Sequence, residues 1–134
     1  MPGGTLTIST RTDKALINIT DKIEAICKNQ ASSGIMYLFN PHTTAGLTIN
    51  EGADPDVCRD IIAGLKNIVP SDLNFRHMEG NSPSHIMALL TGNSLTVHVE
   101  NGSPLLGTWQ KIFFCEFDGP RSRTVHWKFL SDTV

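Results

Sequence analysis

Apolar and polar positions alternate in short runs over most of this chain, and three stretches switch to helical spacing. Leu95, Val97 and Val99 alternate with Thr96, His98 and Glu100, and Val125, Trp127 and Phe129 alternate with His126 and Lys128. Period-two alternation sends successive side chains to opposite faces of a strand, so both runs predict half-buried strands. Lys111 to Phe117 is apolar on both faces, as a central strand should be. Ile35 to Phe39 reads as a buried strand, with Gly46 to Asn50 as its expected partner across the intervening loop. Leu6 to Ser9 and Ala15 to Ile19 predict a first hairpin around Thr12-Asp13. Asp118-Gly119-Pro120-Arg121 is the expected turn into the last strand, in a hairpin register that sets Glu116 opposite Arg123. Such a pair would offset the burden of an acid in an apolar strand.

The clearest helix opens at Asp54-Pro55. The acid can cap free N–H groups, and proline occupies the first helical position, where its missing donor costs nothing. Val57, Cys58, Ile61, Ile62, Leu65, Ile68 and Val69 form one wide stripe that predicts a helix covering a sheet until Pro70 stops it. An earlier helix is expected after Thr20 as N-cap, with Ile23, Ile26 and Cys27 at helical spacing up to Ser32-Ser33-Gly34. A third is expected from Pro83 to Thr91, with Ser82 as cap, Ile86, Leu89 and Leu90 inward and Gly92 as terminator. His85 then falls in its first turn, where free N–H groups and the helix dipole favour an anion. These elements together describe an antiparallel sheet with inserted helices.

With 134 residues and 40% hydrophobic content, the chain suits one domain with a real core, residues 1–134. Eleven Lys and Arg stand against 13 Asp and Glu, for a net charge of -2. No basic stripe is available to neutralise a nucleic-acid backbone or an anionic membrane surface, so neither is an expected partner. No window approaches the roughly 20 apolar residues of a membrane span, and the opening Met1-Pro2-Gly3-Gly4-Thr5 carries no basic, then apolar, leader. A soluble, cytoplasmic protein is expected. Cys27, Cys58 and Cys115 are odd in number and never in a Cys-x-x-Cys pair, and so read as core residues rather than a disulfide framework or zinc knuckle.

Candidate chemistry gathers in two polar, glycine-containing blocks, Pro41-His42-Thr43-Thr44-Ala45-Gly46 and residues 75–85, which hold His42, His77 and His85. Three imidazoles with an open position suit zinc better than magnesium, which prefers oxygen. Their spacing matches no short metal motif, so the alternative that each hydrogen-bonds within its own loop stays open. Glu79 is placed as a nearby general base or a partner behind a ligand. Thr43, Thr44, Asn81, Ser82 and Ser84 supply donors that suit phosphate or diphosphate, with Gly46 and Gly80 permitting close backbone approach. Asn50, Glu51 and Asp54 lie where a strand hands over to a helix, with Asp54 read as the cap. Trp109 can stack on a flat heterocycle or fill the core, and core filling is the expected role. Arg121 and Arg123 can bind an anionic group or cap the hairpin electrostatically. His98 and His126 are expected to be solvated surface residues.

The blocks His42-Thr43-Thr44-Ala45-Gly46-Leu47-Thr48-Ile49-Asn50-Glu51, Asp54-Pro55-Asp56, Arg76-His77-Met78-Glu79-Gly80-Asn81, Ser84-His85, Gly107-Thr108-Trp109-Gln110 and Glu116-Phe117-Asp118-Gly119-Pro120-Arg121 together resemble the YjbQ-like family over nearly the whole chain. Some members of that family carry the name secondary thiamine-phosphate synthase. The resemblance implies an α+β domain, a β-sandwich of mainly antiparallel strands with two or three inserted helices. It also implies a homotrimer with sites near subunit boundaries, and a metal, often zinc, held by the residues matching His42, His77 and His85.

The activity it implies joins hydroxymethylpyrimidine diphosphate to thiazole phosphate and releases diphosphate. Such a site must stabilise the departing diphosphate and the electron-poor pyrimidine methylene. Under that reading the histidines, the amides at the Pro83 helix start and Arg121 take the diphosphate charge. Thr43, Thr44, Asn50 and Asn81 contact substrate, Glu51 or Glu79 orients the pyrimidine amine as the catalytic carboxylate, and Trp109 stacks. Diphosphate departure normally relies on oxygen-bound magnesium, which sits awkwardly with three imidazoles. His98 departs from the apolar or proline residue usual at its position. Two other readings are compatible with the same residues: metal-assisted phosphoester hydrolysis, and a non-enzymatic trimer that binds a metal and a metabolite.

Overall fold

Residues 2–133 are described by a computed structural model, and along them eight strands and three helices follow one another. The order is β1 (Gly3–Ser9), β2 (Ala15–Asn18), α1 (Thr20–Gln30), β3 (Gly34–Phe39), β4 (Ala45–Glu51), α2 (Pro55–Ile68), α3 (Ser82–Thr91), β5 (Ser94–Glu100), β6 (Ser103–Pro104), β7 (Gln110–Glu116) and β8 (Ser122–Ser131). A five-stranded sheet runs β1-β8-β3-β5-β6 and a three-stranded sheet runs β2-β7-β4, with antiparallel pairing throughout.

The two sheets pack face to face. Ile8, Met36, Leu38, Val97, Val125 and Phe129 from the larger sheet meet Leu47, Ile112 and Phe114 from the smaller, and α1 adds Ile23 and Cys27. A second cluster, Val69, Met87, Cys115 and Phe117 with Leu16, Ile62 and Leu65, seats α2 and α3 on the far side of the three-stranded sheet. The fold is thus an α+β sandwich, and β7 serves both layers, which explains why it is apolar on both faces.

Three expected pairings are corrected. β1 and β2 form no hairpin, since β1 pairs with β8 and β2 with β7. β4 pairs with β7 rather than β3. β7 and β8 lie in different sheets, so Glu116 faces Ala15 and Ala45 in its ladders while Arg123 faces Ile8. In each case the turn residues make a corner between sheets. Local turn chemistry is the same for a corner and a hairpin; the core decides which forms. The corners meet at one end of the sandwich, where the Thr10 amide donates to the Arg121 carbonyl (2.9 Å) and the Gly119 amide to the Asp13 carbonyl (3.0 Å).

Asp54 caps α2 as expected, its carboxylate accepting from the Asp56 amide at 2.9 Å. Two other caps shift by one residue, to Ile19 and Asn81. Thr20 instead turns its hydroxyl to accept from the Ile112 amide at 2.8 Å, which ties α1 to β7. α3 buries Pro83, Ser84 and Met87 and leaves Ile86, Leu89 and Leu90 exposed, the reverse of the expected face. α2 buries none of its residues fully, so its stripe is only half covered in one chain. Burial pushes the thiol of Cys27 up to about 11 and that of Cys115 up to about 12, in keeping with inert core cysteines.

Candidate functional site

The loop from β3 to β4 carries His42, and Asn40 shapes it. The buried Asn40 accepts from the His42 amide (3.0 Å) through Oδ1 and donates through Nδ2 to the Ala45 carbonyl (2.7 Å) and, at 3.3 Å, to that of His42. The His42 ring then accepts the Thr124 amide at Nε2, 2.9 Å. An accepting Nε2 leaves the single proton of the neutral ring on Nδ1. Burial, followed by the nearby Arg123 charge, holds the His42 pKa below the ordinary 6.5, so the neutral form persists.

His42 and Thr43 line a cavity of about 460 Å³ with Ala45, His85, Ala88, Leu89, Gly92 and Asn93. The first turns of α3 supply His85, and the β3–β4 loop supplies the opposite wall. Gly46 allows this approach: a Cβ there would lie 2.0 Å from Thr91 Oγ1. His77, on the exposed segment before α3, brings its ring edge-on to that of His85, with centroids 5.6 Å apart and planes at 81°. The three histidines therefore form a chain of neighbours with His85 in the middle.

The arrangement does not fit a three-imidazole metal centre within one chain. The His77–His85 spacing suits two ligands of one ion, but His42 commits its unprotonated nitrogen to Thr124. Among the described residues, no group of three or more His, Cys, Asp or Glu closes around a common point.

Other expected site residues divide. Thr43 is exposed beside His42, whereas Thr44 is buried, its hydroxyl accepting from Arg123 Nη2 at 3.0 Å. Glu79 is exposed next to His77. Asn81 and Arg121 are both held by Asp118, Asn81 Nδ2 donating at 2.9 Å and Arg121 Nη2 at 3.2 Å, and the Arg121 charge adds to the causes that lower the His42 pKa. Asn81 lines a separate cavity of about 400 Å³ with Lys14, Lys66, Ser84 and Asp118, and its Oδ1 is buried without a partner.

Asn50 and Glu51 end β4, five and six residues from Ala45, and a strand of that length spans about 20 Å. Trp109 sits at that remote end, its carbonyl accepting from the Gly52 amide at 2.9 Å. It is 63% exposed, which corrects the core-filling expectation and leaves its ring open to stacking. His98 and His126 are exposed, as expected. Asn40, Ala88 and Asn93 were not singled out by sequence, Leu89 was read only as a core-facing helix residue, and only the Asn40-Pro41 turn signal preceding His42 could have marked one of them.

A helix-backed β-sandwich with a histidine-lined cavity at the inter-sheet corners is the class this geometry defines. The family described as UPF0047 protein YjbQ-like matches residues 4–132, and the chain belongs to that family. A UPF0047 protein of Methanocaldococcus jannaschii is 49% identical over 93% of this chain and 91% of its own length. YugU of Bacillus subtilis is 46% identical over 94% and 97%. The crystal structure of a YjbQ/UPF0047 protein from Clostridium acetobutylicum superposes with a TM-score of 0.91 at 45% identity, covering 95% of this chain and 99% of that one. That of a YjbQ-like protein from Sulfolobus solfataricus does so at 0.92 and 29% identity, covering 98% and 97%. Among the described residues no helix is long and apolar enough to cross a membrane.

Proposed function

We propose that this chain is a cytoplasmic enzyme acting on a phosphorylated small molecule at the His42–His85 cavity. The first reaction to test is the joining of hydroxymethylpyrimidine diphosphate to thiazole phosphate with loss of diphosphate. One observation carries this reading: the sandwich folds so that the β3–β4 loop and the first turn of α3 bring His42, its ring fixed by the Thr124 amide, Thr43 and His85 to the lining of one cavity large enough for a diphosphate. His42 Nδ1–H and the Thr43 hydroxyl donate to the oxygens of the departing group and lower the cost of its developing charge. Because His42 is already neutral and held in place, little reorganisation is needed at that moment.

The second substrate group needs residues that this cavity lacks. Glu51 and Trp109 lie about 20 Å along β4, so they reach a histidine cavity only from a neighbouring copy. Exposed Ile68, Leu73, Leu89, Leu90 and the half-covered stripe of α2 supply apolar surface for such contacts, and this supports the homotrimer. Zinc, favoured over magnesium by the imidazole donors, is proposed at His77 and His85 only.

Purified protein incubated with both precursors should yield thiamine phosphate, read by fluorescence after oxidation to the thiochrome, and His42→Ala and His85→Ala should abolish it. No product under any divalent-metal supplement overturns the coupling reaction. Hydrolysis of simple phosphoesters in its place would assign the cavity to a hydrolase.

A further inference from the structure

Glu116 and Arg123 are both fully buried, and each comes from a different sheet. Arg123 grips Glu116 with two nitrogens: Nε donates to Oε1 at 2.9 Å and Nη2 donates to Oε2. The Thr10 hydroxyl (2.7 Å, to Oε1) and the Asp118 amide (3.0 Å, to Oε2) complete four donors on one carboxylate. Burying such a pair is a poor route to stability, because desolvation consumes most of the Coulombic gain and apolar replacements of equal volume often do as well. Its value lies in what it holds.

Arg123 Nη2 also reaches the Thr44 carbonyl (3.2 Å) and hydroxyl (3.0 Å), at the C-terminal side of the His42 loop. The next residue, Thr124, gives its backbone N–H to His42 Nε2 (2.9 Å). Two consecutive residues of β8 thus clamp the loop twice, once through a side chain and once through the backbone, while Asn40 fastens its other end. Were the Arg123 side chain freed, Thr44 would keep only the Phe117 amide on its carbonyl (3.2 Å), and the loop that carries the His42 ring would be free to shift against the Thr124 amide, which the β1–β8 ladder holds in place.

We infer that the Glu116–Arg123 pair is a positioning device for the histidine cavity: it fixes the His42 ring with its proton on Nδ1, as a hydrogen-bond donor to an anionic oxygen of the ligand and not as a metal ligand. This rests on the reading that the cavity takes a phosphorylated ligand, and it specifies the polarity of the group that His42 meets. A phosphate or diphosphate oxygen accepts from Nδ1–H; an ammonium group or a metal cation does not. Thr44 belongs to the device as the residue through which Arg123 acts.

The test uses the full chain labelled with ¹⁵N-histidine. Long-range ¹H–¹⁵N correlation at neutral pH should show His42 Nε2 unprotonated and Nδ1 protonated, and diphosphate should shift the Nδ1 resonance. The double variant Glu116→Leu with Arg123→Met keeps volume without charge, and its folding is checked by circular dichroism. It should show both tautomers of His42 and bind diphosphate about tenfold more weakly. Should that pair of substitutions prevent folding, Thr44→Val removes one Arg123 contact alone and should move the same two readouts in the same direction. A wild-type His42 with its proton on Nε2, or folded variants that retain one tautomer and full affinity, overturns the inference. Absence of diphosphate binding in the wild type defeats the proposed function instead, and the ring-nitrogen readout still decides the tautomer.

Discussion

The ring of His77 meets that of His85 edge-on at 5.6 Å, whereas His42 directs its Nε2 to the Thr124 amide. Zinc uptake should therefore depend on the first two residues and not on the third. Elemental analysis after dialysis against zinc should show the metal lost in His77→Ala and in His85→Ala and retained in His42→Ala. Loss in all three would restore a three-imidazole centre.

Breaking the buried pair from one side leaves an uncompensated charge in the core. Arg123→Ala should lower the unfolding free energy by about 3–5 kcal/mol in urea titration, much more than the charge-free double variant. Equal losses would mean that the pair acts through packing alone.

Two groups make stability fall on the acid side. Burial alone would raise the Glu116 carboxyl, but hydrogen bonds from Arg123, Thr10 and the Asp118 amide, with the Arg123 charge, outweigh it and hold the group below its ordinary 4.5. The unfolded chain then takes up this proton at a higher pH than the folded one, so the stabilisation is present above that range and is lost as pH falls through it. His42, lowered from 6.5, behaves likewise one step earlier: the unfolded ring charges first, and stability declines as pH drops below 6.5 towards the folded value. Urea midpoints measured from neutrality downward should fall in both ranges. His42→Gln should remove the upper decline and Glu116→Gln the lower.

Two glycines should respond oppositely to alanine. At Gly46 a Cβ would lie 2.0 Å from Thr91 Oγ1 and 3.0 Å from the Gly92 carbonyl oxygen, so β4 and α3 must separate. The expected cost is about 1–3 kcal/mol, with weaker diphosphate binding as the His85 wall moves. Gly64, inside α2, has nothing within 4 Å of such a Cβ, and alanine there should add up to about 1 kcal/mol by helix propensity. Thermal unfolding of the two variants checks both signs.

Strands were legible because alternation is local. Leu95 to Val99 and Val125 to Phe129 alternate buried or half-buried positions with more exposed ones, as the pattern predicts. Sheet membership was not legible, since Thr12-Asp13 and Asp118 to Arg121 turn the chain equally well into a hairpin or a corner. The face of α3 was misjudged for a related reason: Ile86, Met87, Leu89 and Leu90 make it apolar nearly all round, so periodicity could not choose the side that buries Met87. Glu116 and Arg123 were matched correctly as partners although the expected hairpin does not exist, because charge complementarity survives a change of topology. For the candidate site, residue type identified the histidines, but the proton position on His42 depends on an amide 82 residues away. Nor could sequence separate Glu51 and Trp109 from the histidines, a distance set by the run of β4.

The central claim is that the His42–His85 cavity binds a phosphorylated ligand, and calorimetric titration of the metal-free protein with diphosphate tests it most directly. The account predicts saturable binding that is lost in both His42→Ala and His85→Ala and unchanged in Lys66→Gln, which alters only the neighbouring cavity. Binding that survives both histidine substitutions, or that disappears with Lys66, would contradict it.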